Sequence, residues 1–392
     1  MTPAERRLKV LWLIKGLGPG GAERLLVSAA RVRDRAAFDV DVAYLLPWKG
    51  DLSGALAAQG VGVLCLGAAS RWDPRWATAL RRLLREERYD IIHNHSPMVA
   101  AICRLAVRSL PADDRPVLIS TEHNTWSSHG PMTRLANRAT FGMDSAHIAV
   151  SEDTRGSIPT RLRPQVETIV HGLVLADAEA ARTGRAEMRQ RLGFTATDIV
   201  VTTVANYRSH KGYPDLLAAA RTVTSERPYV QFVAIGQGPL AAEVRQERDR
   251  LGLADRFRLL DQRDDVLDVL AASDVFVLAS RFEGYPVALM EALAIGLPVV
   301  ATAVGGIPDA VRDHVSGILV PPGQARQMAA VLTTVADDAG LRRRLAEGAL
   351  CSGGTYDIGE AVRRIECLYR EVLGGTTRSN DTIHSTADEI SR

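Results

Sequence analysis

The 392-residue chain has little of what would settle its class at once. It carries only four cysteines, Cys65, Cys103, Cys351 and Cys367, and their spacing is not that of metal ligands. They read as reduced thiols, three of them in apolar surroundings. No apolar run approaches the length of a membrane span. The basic N-terminus leads into a short strand-like run, not into a long apolar region with a small-residue cleavage site, so no signal peptide is read. Together these absences predict a cytoplasmic protein, at most peripherally attached at the inner membrane face. Charge of one sign is also scarce, with a formal net charge of +2, and no nucleic-acid partner is expected. The balance is uneven, however. Residues 1–175 hold 23 Lys and Arg against 17 Asp and Glu. A basic N-terminal half suits an anionic acceptor or a membrane surface, or is a solvated face.

What is present is length and a repeated pattern. At 392 residues, two domains are expected. Strand, turn and helix alternate, which indicates parallel α/β sheets. Lys9 to Ile14 reads as a strand, Gly16 to Gly21 as a glycine-rich turn and Ala22 to Val32 as a helix. The pattern restarts near Asp198, after a polar, alanine-rich segment from Leu173 to Met188. The expected domains are therefore 1–175 and 176–373, with a helix at 358–373 and an unstructured tail at 374–392. Open sheets of this kind bind ligands beyond the carboxyl ends of their strands.

The most informative stretch is Ser280 to Pro298, SRFEGYPVALMEALAIGLP. A strand-like run, Val275 to Leu278, leads into a glycine-containing turn and then a helix-like run from Val287 to Ile295. Glu291 is the only charge in that run, and a helix apolar all round is normally buried. A buried carboxylate is costly unless hydrogen-bonded. Helical side chains lean toward the N-terminus, so Glu291 is expected to reach toward the loop carrying Glu283. Carboxylates beside free helix amides suit a ligand with both hydroxyls and phosphate, as in a sugar nucleotide. The alternative is a glutamate that caps a neighbouring element.

Other strand ends add weight. Asn206 to Gly212 reads NYRSHKG, where Arg208 and Lys211 could clamp a diphosphate. Glu122, His123 and Asn124 follow the strand Val117 to Thr121, and a histidine there suits sugar hydroxyls or proton transfer. His93 and His95 end the preceding strand. Alternate residues of a strand point the same way, but no acidic set accompanies them, and no metal site is expected. Gly16, Gly18 and Gly21 match G-x-G-x-x-G. A dinucleotide needs an acid at the end of the second strand, and Leu45-Leu46-Pro47-Trp48 offers none. A phosphate-friendly or substrate-admitting turn fits better, with Glu23 facing the helix dipole.

Taken in order, these pieces resemble the family-4 retaining glycosyltransferases of the E-x7-E group, from about Leu8 to Leu373. The strongest part is Glu283-Gly-Tyr-Pro-x4-Glu291-Ala-x-Ala-x-Gly296-x-Pro298. Gly305-Gly-Ile-Pro-Asp309, Gly20-Gly-Ala-Glu-Arg24, Asp90-Ile-Ile-His-Asn-His95 and Val170-His-Gly172 also match the family. The resemblance implies the GT-B fold: two Rossmann-like domains facing across a cleft that closes on donor, with the final helix crossing back to the N-terminal, acceptor-binding domain. It implies that Glu291 binds the nucleotide ribose and Glu283 the donor sugar. Amides of Gly284, Tyr285, Pro286 and Val287 belong to the loop near sugar and phosphate. Lys211 is implied as the diphosphate ligand. Asn206 stands where the family often has arginine, and Arg208 substitutes for it. His123 lies beside the transferred sugar, and the turn containing Gly20 and Gly21 closes over donor and acceptor. The implied activity moves a hexose from a nucleoside diphosphate sugar, UDP-linked, to a hydroxyl acceptor on a glycan, a lipid-linked glycan or a small metabolite, with retention. The donor is a co-substrate, and no cofactor or metal is expected. A sugar-nucleotide epimerase and a non-catalytic sugar-nucleotide-binding subunit are the alternatives.

Overall fold

The computed structural model describes residues 6–69, 73 and 75–388. The chain divides into two compact units, Met1–His171 with Ile358–Arg392, and Gly172–Asp357. The division falls at Gly172 because both crossing segments are tied into the second unit. Leu173 bridges Asp357, and its N–H donates to the Tyr356 carbonyl.

The first unit runs β1 (Leu8–Ile14), α1 (Gly21–Val32), β2 (Phe38–Tyr44), α2 (Ser53–Ala57), β3 (Gly62–Cys65), α3 (Arg75–Glu87), β4 (Ile91–Asn94), α4 (Pro97–Arg108), β5 (Val117–Glu122), α5 (Pro131–Thr140), β6 (Ala146–Ala149), α6 (Glu152–Ser157) and β7 (Val166–Thr168). Its strands form a parallel sheet of order β3-β2-β1-β4-β5-β6-β7. Alternation along β1 shows why both faces are covered. Val10, Trp12 and Ile14 join one core with Leu26 and Tyr369, while Leu11 and Leu13 join another with Trp76, Leu80 and Cys103.

The second unit runs α7 (Leu175–Thr183), α8 (Arg185–Arg191), β8 (Ile199–Val204), α9 (Tyr213–Glu226), β9 (Val230–Ile235), α10 (Ala241–Arg250), β10 (Phe257–Leu260), α11 (Val266–Ala271), β11 (Val275–Leu278), α12 (Val287–Ile295), β12 (Val299–Thr302), α13 (Ile307–Ala310), β13 (Gly317–Val320), α14 (Ala325–Asp337) and α15 (Ala339–Gly353). Its sheet is also parallel, in the order β10-β9-β8-β11-β12-β13. The chain then returns to the first unit as α16 (Ile358–Asp388). Val362, Leu368 and Tyr369 of α16 are buried there, as their spacing along one helix face requires. The helix continues well past Leu373, where the apolar stripe stops. Once a helix is nucleated by packing, each further turn is cheap to add.

The cysteines differ from expectation. Only Cys103 is buried; Cys65, Cys351 and Cys367 are exposed, and all four are free thiols. Cys65 shows why: it ends β3, the edge strand of its sheet, where an apolar neighbourhood in sequence is not a covered one. Among the described residues no helix is long and apolar enough to cross a membrane.

Candidate active site

In an open parallel sheet the strand order reverses at one point, and the loops on either side splay apart to leave a crevice. In the second unit that point lies between β8 and β11. The loop after β8 carries Asn206 to Gly212, and the loop after β11 carries Ser280 to Pro286. Topology thus brings together two stretches that the sequence keeps about seventy residues apart. Lys211 Nζ lies 2.6 Å from Glu283 Oε1. The Ser280 hydroxyl donates to the same oxygen at 2.5 Å. Ser280 is itself placed by Thr302 at the end of β12, whose hydroxyl donates to the Ser280 carbonyl at 2.5 Å. Glu283 is 8% exposed and the Lys211 side chain 17%. A nearly buried ion pair at a strand-end crevice can be drawn apart by a ligand that offers a hydroxyl to the carboxylate and an anion to the ammonium.

Two glycines set this geometry. Gly212 sits at φ +67°, and a Cβ on it would stand 1.9 Å from the Ala279 carbonyl oxygen. Gly305 sits at φ +56°, and a Cβ on it would stand 1.9 Å from the carbonyl oxygen of Glu283. The next residue, Gly306, donates its N–H to the Gly284 carbonyl at 2.8 Å. The Gly305-Gly306 pair therefore seats the loop that holds Glu283, a task only a residue without a side chain performs here.

Glu291 departs from the buried environment expected of it. In α12, Leu289, Met290 and Ala292 to Ile295 are buried, but Glu291 is half-exposed. With Val287 and Ala288 it lies in the less covered N-terminal part of the helix, and Glu283 is the buried carboxylate instead. Pro286 is the N-cap of α12, so Gly284, Tyr285 and Val287 flank a helix start. The Tyr285 hydroxyl pairs with that of Tyr356 at 2.8 Å. Arg208 is exposed, whereas Asn206 is half-buried at the end of β8. Phe282 stacks on His210 at 4.6 Å on the same rim.

In the first unit the order reverses between β1 and β4. The glycine-rich turn follows β1, and His95 follows β4. None of Gly16, Gly18, Gly20 and Gly21 has a positive φ; what Gly16 provides is room, since a Cβ there would stand 2.9 Å from Lys49 Cβ. Gly20 is the N-cap of α1, and the Glu23 carboxylate folds back so closely that a Cβ on Gly20 would meet its Oε2 at 2.2 Å. Glu23 thus serves the start of α1 in the way its position in the first turn suggests.

The strand-end histidines form one cluster. His93 is fixed on both nitrogens, by the Tyr369 hydroxyl at 2.6 Å and the Thr121 hydroxyl at 2.7 Å. His95 Nδ1 meets His123 Nε2 at 3.2 Å, and His123 stacks on His171 at 5.4 Å. Burial, reinforced by the neighbouring imidazoles, holds His95 and His123 well below the usual histidine range, and burial alone lowers His171 to about 4. All three rings are therefore neutral near pH 7. Sequence reasoning found His93, His95 and His123 but gave His171 no role. Glu122 turns away from the cluster. It accepts from Asn137 Nδ2 at 2.7 Å, and Asn137 accepts from the buried Arg104, which pairs with Asp144 at 2.6 Å. Glu122 thus anchors the end of β5 that carries His123, while Asn124 is exposed. Among the described residues no group of three His, Cys, Asp or Glu is placed to hold a metal ion.

Two parallel α/β units, each with a strand-order switch point and one with a carboxylate–ammonium pair at the loops beside it, define a two-domain, doubly wound class of fold. The sequence matches the family described as Glycosyl transferases group 1 over residues 184–350 and Glycosyltransferase Family 4 over residues 19–176. The chain belongs to the family-4, group 1 glycosyltransferases and is a hexosyltransferase by class. Among its relatives is an N-acetyl-alpha-D-glucosaminyl L-malate synthase of Bacillus anthracis, 24% identical over 77% of this chain and 80% of the relative. Another is a UDP-Gal:alpha-D-GlcNAc-diphosphoundecaprenol alpha-1,3-galactosyltransferase of Escherichia coli, 24% identical over 90% of this chain and 94% of the relative. A similar solved structure is HepE of Anabaena in complex with UDP and glucose, with TM-score 0.80 and 23% identity over 93% of this chain and all of that one. It places the chain in the GT-B fold.

Proposed function

We propose that the chain transfers a hexosyl group from a UDP-sugar to an acceptor hydroxyl with retention of configuration and without a metal ion. The observation that carries this reading is the Lys211–Glu283 pair joining the loops after β8 and β11. On donor binding the diphosphate takes Lys211 and the sugar hydroxyls take Glu283, so each charge exchanges one partner for another. Arg208 and the first amides of α12 add positive potential as negative charge grows on the leaving diphosphate. Glu291 holds the ribose, and His123, a neutral imidazole of the first unit, is that unit's candidate partner for a sugar hydroxyl. The bond from the anomeric carbon to the diphosphate breaks, the acceptor oxygen bonds to the same face, and its proton passes to the departing phosphate. Relatives whose names include UDP-Gal or whose structures hold UDP support the uridine base. The diphosphoundecaprenol acceptor of the E. coli relative supports a lipid-linked acceptor. So does α5, which exposes Met132 and Leu135 beside Arg134 and Arg138, the composition of a helix that lies on an anionic bilayer.

The test supplies UDP-, GDP- and dTDP-hexoses with polyprenyl-diphosphate glycans and soluble sugar acceptors, and measures released nucleoside diphosphate together with glycosylated product. UDP release that depends on acceptor is the expected result. A changed free sugar or sugar nucleotide formed without acceptor indicates an epimerase instead. Binding with no turnover of any donor indicates a non-catalytic subunit.

A further inference from the structure

The loop after β2 is a tight turn fastened to the glycine-rich turn after β1. Leu46-Pro47-Trp48-Lys49 closes with the Lys49 N–H on the Leu46 carbonyl at 2.9 Å, and proline presets the second position of such a turn. Leu17, in the glycine-rich turn, donates to the Lys49 carbonyl at 2.6 Å and accepts from the Leu52 N–H at 3.0 Å. Leu45 and Leu46 both donate to the Lys15 carbonyl, at 3.3 and 3.2 Å. This rigid turn presents Trp48 outward. Trp48 is 60% exposed, whereas Trp12, Trp76 and Trp126 are buried. Among the described residues, its indole makes no hydrogen bond or ring contact, and the Lys49 ammonium and Asp51 carboxylate have no ion-pair or hydrogen-bond partner. Both charged side chains lie against the glycine-rich turn. A Cβ on Gly16 would stand 2.9 Å from Lys49 Cβ, and one on Gly18 would stand 3.9 Å from Asp51 Oδ2. In the sheet order β2-β1-β4, this loop is two strand intervals, about 10 Å, from the loop after β4 that carries His95. A disaccharide spans that distance.

We propose that Trp48, flanked by Lys49 and Asp51, is a platform for a sugar ring of the acceptor. A pyranose has a face of C–H groups that packs on an indole, and a rim of hydroxyls that donate and accept. Lys49 supplies donors to that rim and Asp51 supplies acceptors. The pair carries no net charge, which suits a neutral polyol. A simple anion or an anionic lipid meets Asp51, and an apolar partner strands both charges. That the ring belongs to the acceptor rests on the proposed function; that a sugar seats on Trp48 does not.

The test reads binding first, without nucleotide. The full chain is made with ring-fluorinated tryptophan, and a Trp48→Phe sample identifies the Trp48 signal among the five tryptophans in ¹⁹F spectra. Methyl glucoside, methyl galactoside, N-acetylglucosamine and maltose are titrated in, with sorbitol as an open-chain polyol and phosphatidylglycerol vesicles as an anionic surface. At least one cyclic sugar is expected to move the Trp48 signal saturably, while sorbitol and vesicles leave it in place. No saturable shift from any cyclic sugar overturns the proposal, as does an equal shift from sorbitol. A shift from vesicles alone makes Trp48 a membrane contact instead. In transfer assays with the best-bound sugar as acceptor, Trp48→Ala should raise acceptor KM at least about tenfold. Donor KM and the donor-induced rise in Tm should stay as in wild type, and Trp48→Phe should recover most of the loss. An unchanged acceptor KM in the alanine variant overturns the proposal. So does an equal rise in donor KM, the mark of a turn that matters only for structure. A sugar that moves the Trp48 signal in a protein that transfers none defeats the proposed function and leaves the platform standing.

Discussion

Replacing Lys211 by methionine tests the ion pair that anchors the proposed donor site. The ammonium stands 2.6 Å from Glu283 Oε1, with the side chains 17% and 8% exposed. Removing one partner of a fully buried pair costs about 3–5 kcal/mol, mostly because the other charge is stranded. Lys211 retains some contact with water, and Glu283 keeps the Ser280 hydroxyl at 2.5 Å, so about 2–3 kcal/mol is expected. The same reasoning requires Glu283→Gln to relieve the lysine variant, since it removes the stranded charge. The double variant should therefore be more stable than Lys211→Met alone, with a coupling of about 2 kcal/mol. Urea unfolding of all four proteins without nucleotide, followed by far-ultraviolet circular dichroism, gives the cycle. Equal midpoints for wild type and Lys211→Met, or strictly additive single effects, would refute the idea that the pair is coupled across the two loops.

Three further outcomes are expected. Burial lowers His93 to about 3 and His147 and His171 to about 4. The unfolded chain, with histidines near 6.5, then binds more protons between about pH 6.5 and 4. Stability should fall through that window by up to about 1.4 kcal/mol per pH unit per histidine, and a Tm unchanged from pH 7.5 to 5 contradicts it. Gly305→Ala should lose about 1–3 kcal/mol, since alanine is strained at that φ and its methyl meets the Glu283 carbonyl; wild-type Tm and donor affinity in this variant would show that the loop does not depend on Gly305. Transfer should survive EDTA, because Lys211 and Arg208 supply the positive charge at the diphosphate; loss of activity that Mg²⁺ or Mn²⁺ restores rejects that part of the reading.

Much of this was legible in the sequence, though unevenly. The alternation of strands and turns gave both sheets, because parallel strands covered on two faces must be apolar throughout and must be separated by helices. Glu283, Lys211 and His123 stood out because each follows a strand end, and Glu291 because it is the only charge in an apolar helical run. Their pairing did not. Lys211 and Glu283 are 72 residues apart, and only the strand order that places β8 beside β11 makes them neighbours. Ser280 and Gly305 lay in stretches the sequence singled out, but how they act on Glu283 was not legible: Ser280 bonds it from within the loop after β11, while Thr302 and Gly305 reach that loop from the end of β12 and the turn that follows. Periodicity also misjudged environment at the margins. Glu291 lies in the less covered N-terminal part of an apolar helix, and Cys65 lies on an edge strand; neither fact is written in the neighbouring residues. His171 arrives from the loop after β7, and its place against His123 follows from the sheet, not from any local motif.

The central claim is that the loops after β8 and β11, together with Glu291, hold a nucleoside diphosphate sugar. Thermal shift with a UDP-sugar, on wild type and on Glu291→Ala, tests it most directly, because a ligand that binds the folded chain raises Tm by mass action. Wild type should gain a concentration-dependent rise in Tm. Glu291→Ala, compared with its own ligand-free Tm, should need roughly 30- to 1,000-fold more donor for the same rise, as expected for losing about 2–4 kcal/mol of charged hydrogen bonding. A variant that shifts as wild type does, or a wild type that no UDP-, GDP- or dTDP-sugar shifts, contradicts the account.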